Sequence, residues 1–408
     1  LLFNSASYLI FLTGAVLVYH QLPPAAKRWL KRTANDRSSM PVEQLQTAMD
    51  HSSGRGESFY IPSLDGIRAS AFLLVFLSHV GLGDRIPGGF GVTAFFFLSG
   101  YLIVTLLRAE ADRDGSFSLK MFYARRVLRI FPPCYLVLTI AVILNAIGIV
   151  PGGRSLAGLA AEFFYVTNYY TLAGGNAIPK GTGVLWSLAV EEHFYLFFPL
   201  VYIILRRLCP RPARQVVILG WFCAAMLVWR CVLVIHFHAP STRTFLATDT
   251  RFDSILFGCI LAIYGNPAVD CTRFQEHFWK WILLPIGIGL LLLTFTVRSD
   301  VFRETLRYTL QGIALFPVFI TAVRYPHWLV FRILNVRVVR FVGVLSYTLY
   351  LVHFIVIETI DRWRLGSPLV QGILSLAISL LVAVAIYYLV ERPCARLRRY
   401  LRSRPTPK

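Results

Sequence analysis

IPSLDGIRASAFLLVFLSHVGLG, residues 61–83, is followed at once by GGFGVTAFFFLSGYLIVTLLR at 88–108 and, after a basic loop, by FYARRVLRIFPPCY at 122–135. The first two are apolar runs of membrane-spanning length, yet they carry Arg68 and His79. An ordinary lipid-facing helix excludes such groups, because burying them in hydrocarbon is costly. Arg68 and His79 are eleven positions apart. At 100° per residue that falls within about 20° of three full turns, so both are expected on one side of a helix with a rise of about 16 Å between them. One helix would then present a fixed cation near one end and an imidazole about half a bilayer core away.

Outward from this stretch, 56% of the residues are hydrophobic and the mean hydropathy is +0.61. Repeated apolar runs of helical length make the chain a polytopic membrane protein and exclude a soluble multidomain one. The net charge of +20 would suit nucleic acid, but Lys and Arg cluster in alternate loops, as the positive-inside bias requires, so no nucleic-acid partner is expected. The seven cysteines (Cys134, Cys209, Cys223, Cys231, Cys259, Cys271 and Cys394) are odd in number and lack CxxC spacing. Neither a disulfide framework nor a zinc site follows, and no metal is expected. Most sit in or beside apolar runs, where cysteine acts as a small hydrophobe.

The expected fold is all-α, a polytopic transmembrane helical bundle of about ten core spans plus one N-terminal helix. Residues 1–32 read as an anchor helix with a basic flank. Their apolar run lacks a basic start and a small-residue cleavage site, so no cleavable signal is expected. The opening LLFNSASYLIFLTGAVLVYHQLP resembles the start of membrane-bound O-acyltransferases of the alginate- and teichoic-acid-modifying kind, without that family's catalytic residues. Residues 33–58 are rich in Ser, Gly, Asp and Gln and read as a flexible cytoplasmic linker. The membrane domain is expected over 59–396 and a basic cytoplasmic tail over 397–408. Apolar runs fall near 67–83, 90–107, 131–150, 190–205, 215–236, 252–265, 278–297, 306–323, 341–360 and 369–390. With the first running outward, the basic loops 108–129, 206–214 and 324–340 and the tail 392–408 all stay inside, which puts the C-terminus in the cytoplasm. Residues 156–170 read as a re-entrant or interfacial helix, because an eleventh span there would invert every later loop.

The ordered strings Arg68 with His79, FFFLSGYLI (95–103), FYARRVLRIFPPCY (122–135), LWSLAVEEHFYLFFPL (185–200), TRFDSILFGCILA (250–262) and SYTLYLVHF (346–354) resemble acyltransferase family 3, integral membrane acyltransferases. Members of that family move an acyl group, usually acetyl from acetyl-CoA, onto sugars of surface polysaccharides, glycolipids, antibiotics or peptidoglycan. The resemblance implies an acyl-CoA donor, a carbohydrate or glycolipid acceptor and contact with membrane lipid in a bacterial-type cytoplasmic membrane. It also implies that His79 and Arg68 are the essential pair. Family members that finish transfer outside use an extracytoplasmic hydrolase-like domain, so a separate extracytoplasmic partner is expected.

His79 suits an acyl transfer from thioester to hydroxyl, which needs a base near neutral pH. Its alternative is a packing histidine bonded to a carbonyl. Arg68 suits a CoA phosphate through its planar donor fork, or else snorkels at the interface. Arg125, Arg126 and Arg129 are spaced to bracket one helix face and hold a polyphosphate, although positive-inside anchoring explains any one of them. Glu191 and Glu192 open an apolar helix, where the dipole favours carboxylates. By the resemblance, Glu191 would orient His79 or bind the acceptor, and His193 is a second candidate base. Arg251 and Asp253, near Asp249, would bind acceptor hydroxyls or form an ion pair with neighbours. Ser346 and His353 share a face at seven-residue spacing and, with Tyr347, suit helix-to-helix hydrogen bonds; Tyr347 is also a candidate acceptor contact. No GxSxG elbow surrounds Ser99, so covalent catalysis by serine is not expected, and Gly100 reads as a close-packing position. Two rival classes remain at this stage: a secondary transporter or flippase, which also places charges at mid-membrane, and a non-catalytic scaffold.

Overall fold

The computed structural model describes residues 60–272, 274–363 and 366–402. The expected anchor helix, its likeness to membrane-bound O-acyltransferases and the linker 33–58 lie outside the described residues, as does the end of the tail. Pro62 opens α1 (Pro62–Leu77), where its missing N–H breaks no helical bond, and the helix widens into a π-turn at Ser78–Leu82. After a short turn come α2 (Gly88–Asp114) and α3 (Leu119–Ala146), the latter capped by the Ser118 side chain, which accepts from the Met121 N–H. Residues 156–170, expected to be re-entrant or interfacial, break into α4 (Leu156–Phe163) and α5 (Thr167–Leu172). At 1.5 Å per residue neither exceeds about 12 Å, far short of a bilayer core of about 30 Å.

The chain continues through α6 (Leu185–Leu208), α7 (Pro212–Cys231), α8 (Ser241–Leu246), α9 (Thr248–Ile263), α10 (Leu284–Thr296), α11 (Leu306–Arg324), α12 (Arg337–Trp363), α13 (Pro368–Ile386) and α14 (Arg392–Arg402). Among the described residues no strand forms beyond one isolated bridge, Gly152 to Pro179, and nine helical stretches are long and apolar enough to cross a membrane. The one expected run not among the nine, 252–265, is α9, only 16 residues long. Its length of about 24 Å is less than the hydrocarbon thickness, and most of its residues are buried, so protein rather than lipid surrounds it. The large exposed side chains elsewhere are those of a lipid-facing surface: Trp221, Leu381 and Leu389 are each more than 70% exposed. Residues 397–402, expected as tail, continue α14, which packs on α3.

Two helix pairs set the core, and both cross where a side chain is missing. A Cβ on Gly258 of α9 would lie 1.9 Å from the Phe97 carbonyl of α2, and one on Gly100 of α2 would lie 2.1 Å from the Ile255 carbonyl of α9. These reciprocal glycines bring the two backbones into contact, as small residues do in membrane bundles. In the second pair, a Cβ on Gly343 of α12 would lie 1.9 Å from the carbonyl of Asp65 in α1. Several polar residues of the core bind one another. Tyr101 donates to Asn266 at 2.8 Å, Asn266 donates to Thr105 at 2.8 Å, and Arg108 pairs with Asp270 at 2.6 Å.

Candidate active site

The close crossings of α1 on α12 and of α2 on α9 leave a cavity between α1, α2, α3, α6 and α12. Its wall carries Arg68, Arg126, Arg129, Glu191, Glu192 and Tyr347. Arg68 donates to Asp65 at 2.7 Å, one turn earlier on α1. Arg126 lies over the rings of Phe122 and Tyr195, at 5.7 and 5.3 Å, an arrangement that steadies a guanidinium without neutralising it. Among the described residues neither Arg126 nor Arg129 forms an ion pair. Glu191 accepts from Tyr195 at 2.8 Å, one turn on, and Tyr347 donates to the Ile130 carbonyl of α3 at 2.8 Å. Tyr347 therefore bridges two helices and also lines the cavity.

Arg125 departs from the expected trio. On a helix Arg125, Arg129 and Arg126 occupy an arc of about 100° with Arg125 at one edge, and Glu110 of α2 captures it there at 2.7 Å. The cavity keeps the other two. His193, about 100° round from Glu192, is likewise turned away; its Nδ1 lies 2.8 Å from the Thr248 hydroxyl.

The structure also separates Arg68 from His79. His79 sits in the π-turn that ends α1, where Val80 and Gly81 leave helical geometry, and it stacks on Phe354 of α12 at 4.4 Å. Its Nδ1 lies 3.0 Å from Nε2 of His353. Arg68 lines the cavity and His79 does not. Tyr350 stands between the cavity and the histidines: it lines the cavity beside Phe95, and its ring centroid lies 5.6 Å from that of His353. The Tyr350 hydroxyl is 2.6 Å from that of Ser187 on α6. No hydrogen bond joins Glu191 to His79 among the described residues; the side chain within hydrogen-bond distance of His79 is His353.

Arg251 and Asp253, expected either to bind acceptor hydroxyls or to form an ion pair with neighbours, are both fully buried. Asp253 pairs with Arg230 at 2.7 Å and accepts from Thr309 at 3.1 Å. Arg251 donates to Thr93 at 3.0 Å and lies 4.1 Å over the Tyr308 ring. This knot fastens α7, α9 and α11. Arg230 escaped the sequence reading, although an arginine inside an apolar run is itself a signal of a buried partner. Tyr350 and Ser187 lie inside the strings 346–354 and 185–200 without a role of their own there, since a hydroxyl in an apolar helix has no periodicity of its own.

A family model described as an acyltransferase domain matches residues 61–388. The O-acetyltransferase OatA of Staphylococcus aureus strain NCTC 8325 / PS 47 is 30% identical over 355 residues, covering 82% of this chain and 57% of its own length. OatA of strain COL matches to the same extent. The chain thus spans a little over half the length of these curated relatives. No solved structure matches it significantly.

Proposed function

Given that the chain belongs to the acyltransferase family, we propose that it transfers an acyl group, acetyl in the simplest case, from acyl-CoA to a sugar hydroxyl of a surface polysaccharide or glycolipid. The observation that carries this reading is the cavity with Arg68, Arg126 and Arg129 on its wall, the latter two without ion-pair partners among the described residues. A polyphosphate donor supplies the missing anions, and guanidinium forks suit phosphate oxygens in bidentate contact. The thioester arm then extends past Tyr350 toward His79. There Nε2 of His79 takes the proton of the acceptor hydroxyl as its oxygen attacks the thioester carbonyl. The carbon–sulfur bond breaks, and the thiolate recovers the proton from the imidazolium. Fixing these groups on packed helices supplies proximity.

The membrane is a bacterial-type cytoplasmic membrane, with the arginine-bearing loops and the C-terminus inside, because the opposite orientation exports every basic loop. The donor enters from that side and the sugar acceptor from the other. A separate extracytoplasmic partner completes delivery where the acceptor lies beyond the membrane.

The test is single-turnover release of free thiol from acetyl-CoA by His79→Gln in the presence of envelope saccharides, with thermal stability measured on the same sample. Loss of a positioned base removes about a hundredfold to ten-thousandfold of rate, while expression and donor binding stay intact. Near-normal transfer by a well-folded Gln variant removes His79 from the mechanism.

A further inference from the structure

We infer that His353 is a positioning residue that fixes the proton of His79 on Nδ1 and leaves Nε2 of His79 as a bare base. The inference deepens the general-base role proposed for His79 and rests on it only for its catalytic consequence.

The chain of hydrogen bonds admits one arrangement of protons. His353 is fully buried on α12, and its Nδ1 lies 2.8 Å from the carbonyl of Tyr350 and 3.2 Å from that of Leu349. A carbonyl oxygen only accepts, so Nδ1 of His353 carries a hydrogen. A neutral imidazole holds one N–H, which leaves Nε2 of His353 as an acceptor. That nitrogen faces Nδ1 of His79 at 3.0 Å. Two bare nitrogens at that distance repel, so Nδ1 of His79 must donate. The remaining lone pair of His79 is on Nε2.

The alternative is a doubly protonated His353 donating to a bare Nδ1 of His79. It fails on burial. The walls around His353 are rings: Phe72 at 5.6 Å, Phe76 at 6.4 Å, Tyr350 at 5.6 Å and Phe354 at 6.3 Å. No carboxylate pairs with His353 among the described residues, and an imidazolium there would be a buried charge without a counter-ion.

The arrangement follows the logic of base and orienter in hydrolase triads, with a neutral histidine anchored by a helix carbonyl where those enzymes use a carboxylate. Its advantage in a membrane is that no fixed charge has to be buried beside the base. When Nε2 of His79 takes a proton, the Nδ1–H bond to His353 becomes charge-assisted and strengthens. The contact therefore favours the transition state over the resting enzyme, and it belongs in kcat rather than in KM.

The experiment uses the full chain in lipid nanodiscs with ¹⁵N-labelled histidine, acetyl-CoA as donor probe, and three variants. The His79 resonances are assigned by their loss in His79→Gln. The wild type is expected to show a protonated Nδ1 and an unprotonated Nε2 at His79. In His353→Phe, which keeps a ring but offers no acceptor, His79 should shift toward the opposite tautomer. kcat should then fall about tenfold to a thousandfold, with the KM for acetyl-CoA within about twofold. In His353→Gln the amide oxygen can accept from Nδ1, and both the tautomer and most of the turnover should return. A wild-type His79 protonated on Nε2, or a folded His353→Phe protein with unchanged tautomer and turnover, overturns the inference. Normal transfer by His79→Gln, together with the assigned tautomer in the wild type, removes the general-base role and leaves the pairing standing.

Discussion

Glu162 is buried in α4 to 1% exposure, and among the described residues neither of its carboxylate oxygens has a hydrogen-bond partner. Burial pushes its pKa up to about 7 from an ordinary 4.5, and the neighbouring Thr182 hydroxyl, which already donates to the Pro179 carbonyl at 2.6 Å, offsets only part of this. The sign of the consequence follows from linkage. Between pH 4.5 and 7 the folded protein holds a proton that the unfolded chain has lost, so stability is intact below the lower value and declines as pH rises through the upper one. At about 1.36 kcal/mol per pH unit, the interval corresponds to about 3 kcal/mol lost by pH 8. Glu162→Gln keeps a neutral polar group of the same shape and removes the titration. Melting curves of detergent-purified wild type and variant, taken from pH 4.5 to pH 8, should therefore converge at the acid end and separate at the alkaline end, with the Gln variant the more stable. Every other titrating group is common to both proteins and cancels in the difference. Parallel curves across the whole range would mean that Glu162 ionises in the folded state without cost and would refute its isolation.

Replacing Arg126 and Arg129 together by Gln should raise the KM for acetyl-CoA by about tenfold or more with a smaller effect on kcat, because phosphate contacts hold ground and transition states alike. Arg125→Gln should leave KM near its original value, since Glu110 rather than the cavity holds that side chain; equal effects from Arg125 and the pair would return all three to membrane anchoring. Asp253→Ala strands Arg230 as a buried unpaired cation and should destabilise by roughly 3–5 kcal/mol. In the folded fraction, acceptor KM should be unchanged, and a stable Asp253→Ala protein with raised acceptor KM would restore the acceptor role.

The bundle was legible because its signal is local. Length and hydropathy alone decide whether a run can form a spanning helix, and all ten described runs became helices. The reading of 156–170 rested instead on the loops that follow it, and the structure supplies a local cause: Tyr165 at the α4–α5 turn takes a left-handed backbone with φ of 56° and breaks the run. What sequence could not give was the surroundings of each run. The composition of α9 satisfies a membrane as well as a protein interior does, and only its crossing on α2 through Gly100 and Gly258 reveals which surrounds it.

The site was legible one helix at a time. Helical phase tells which residues share a face, but it is silent about which neighbour that face meets. Arg125 and Arg126 differ by one position and by about 100°, and the carboxylate that separates their roles, Glu110, lies 15 positions earlier on another helix. Arg251 and Asp253 left an acceptor contact and an ion pair with neighbours equally open until Arg230, 23 positions before Asp253, closes over the aspartate. The same limit explains the pairing of Arg68 with His79. Their expected shared face held no information about α12, whose His353, 274 positions away, takes His79 while the cavity keeps Arg68. An ionisable residue in an apolar helix therefore announces a partner without naming it. In this chain the partners of both candidate bases, His353 for His79 and Thr248 for His193, lie on other helices. Only His79 has a histidine partner whose own Nδ1 lies against helix carbonyls, and that difference between two otherwise similar histidines supports the base role proposed for it.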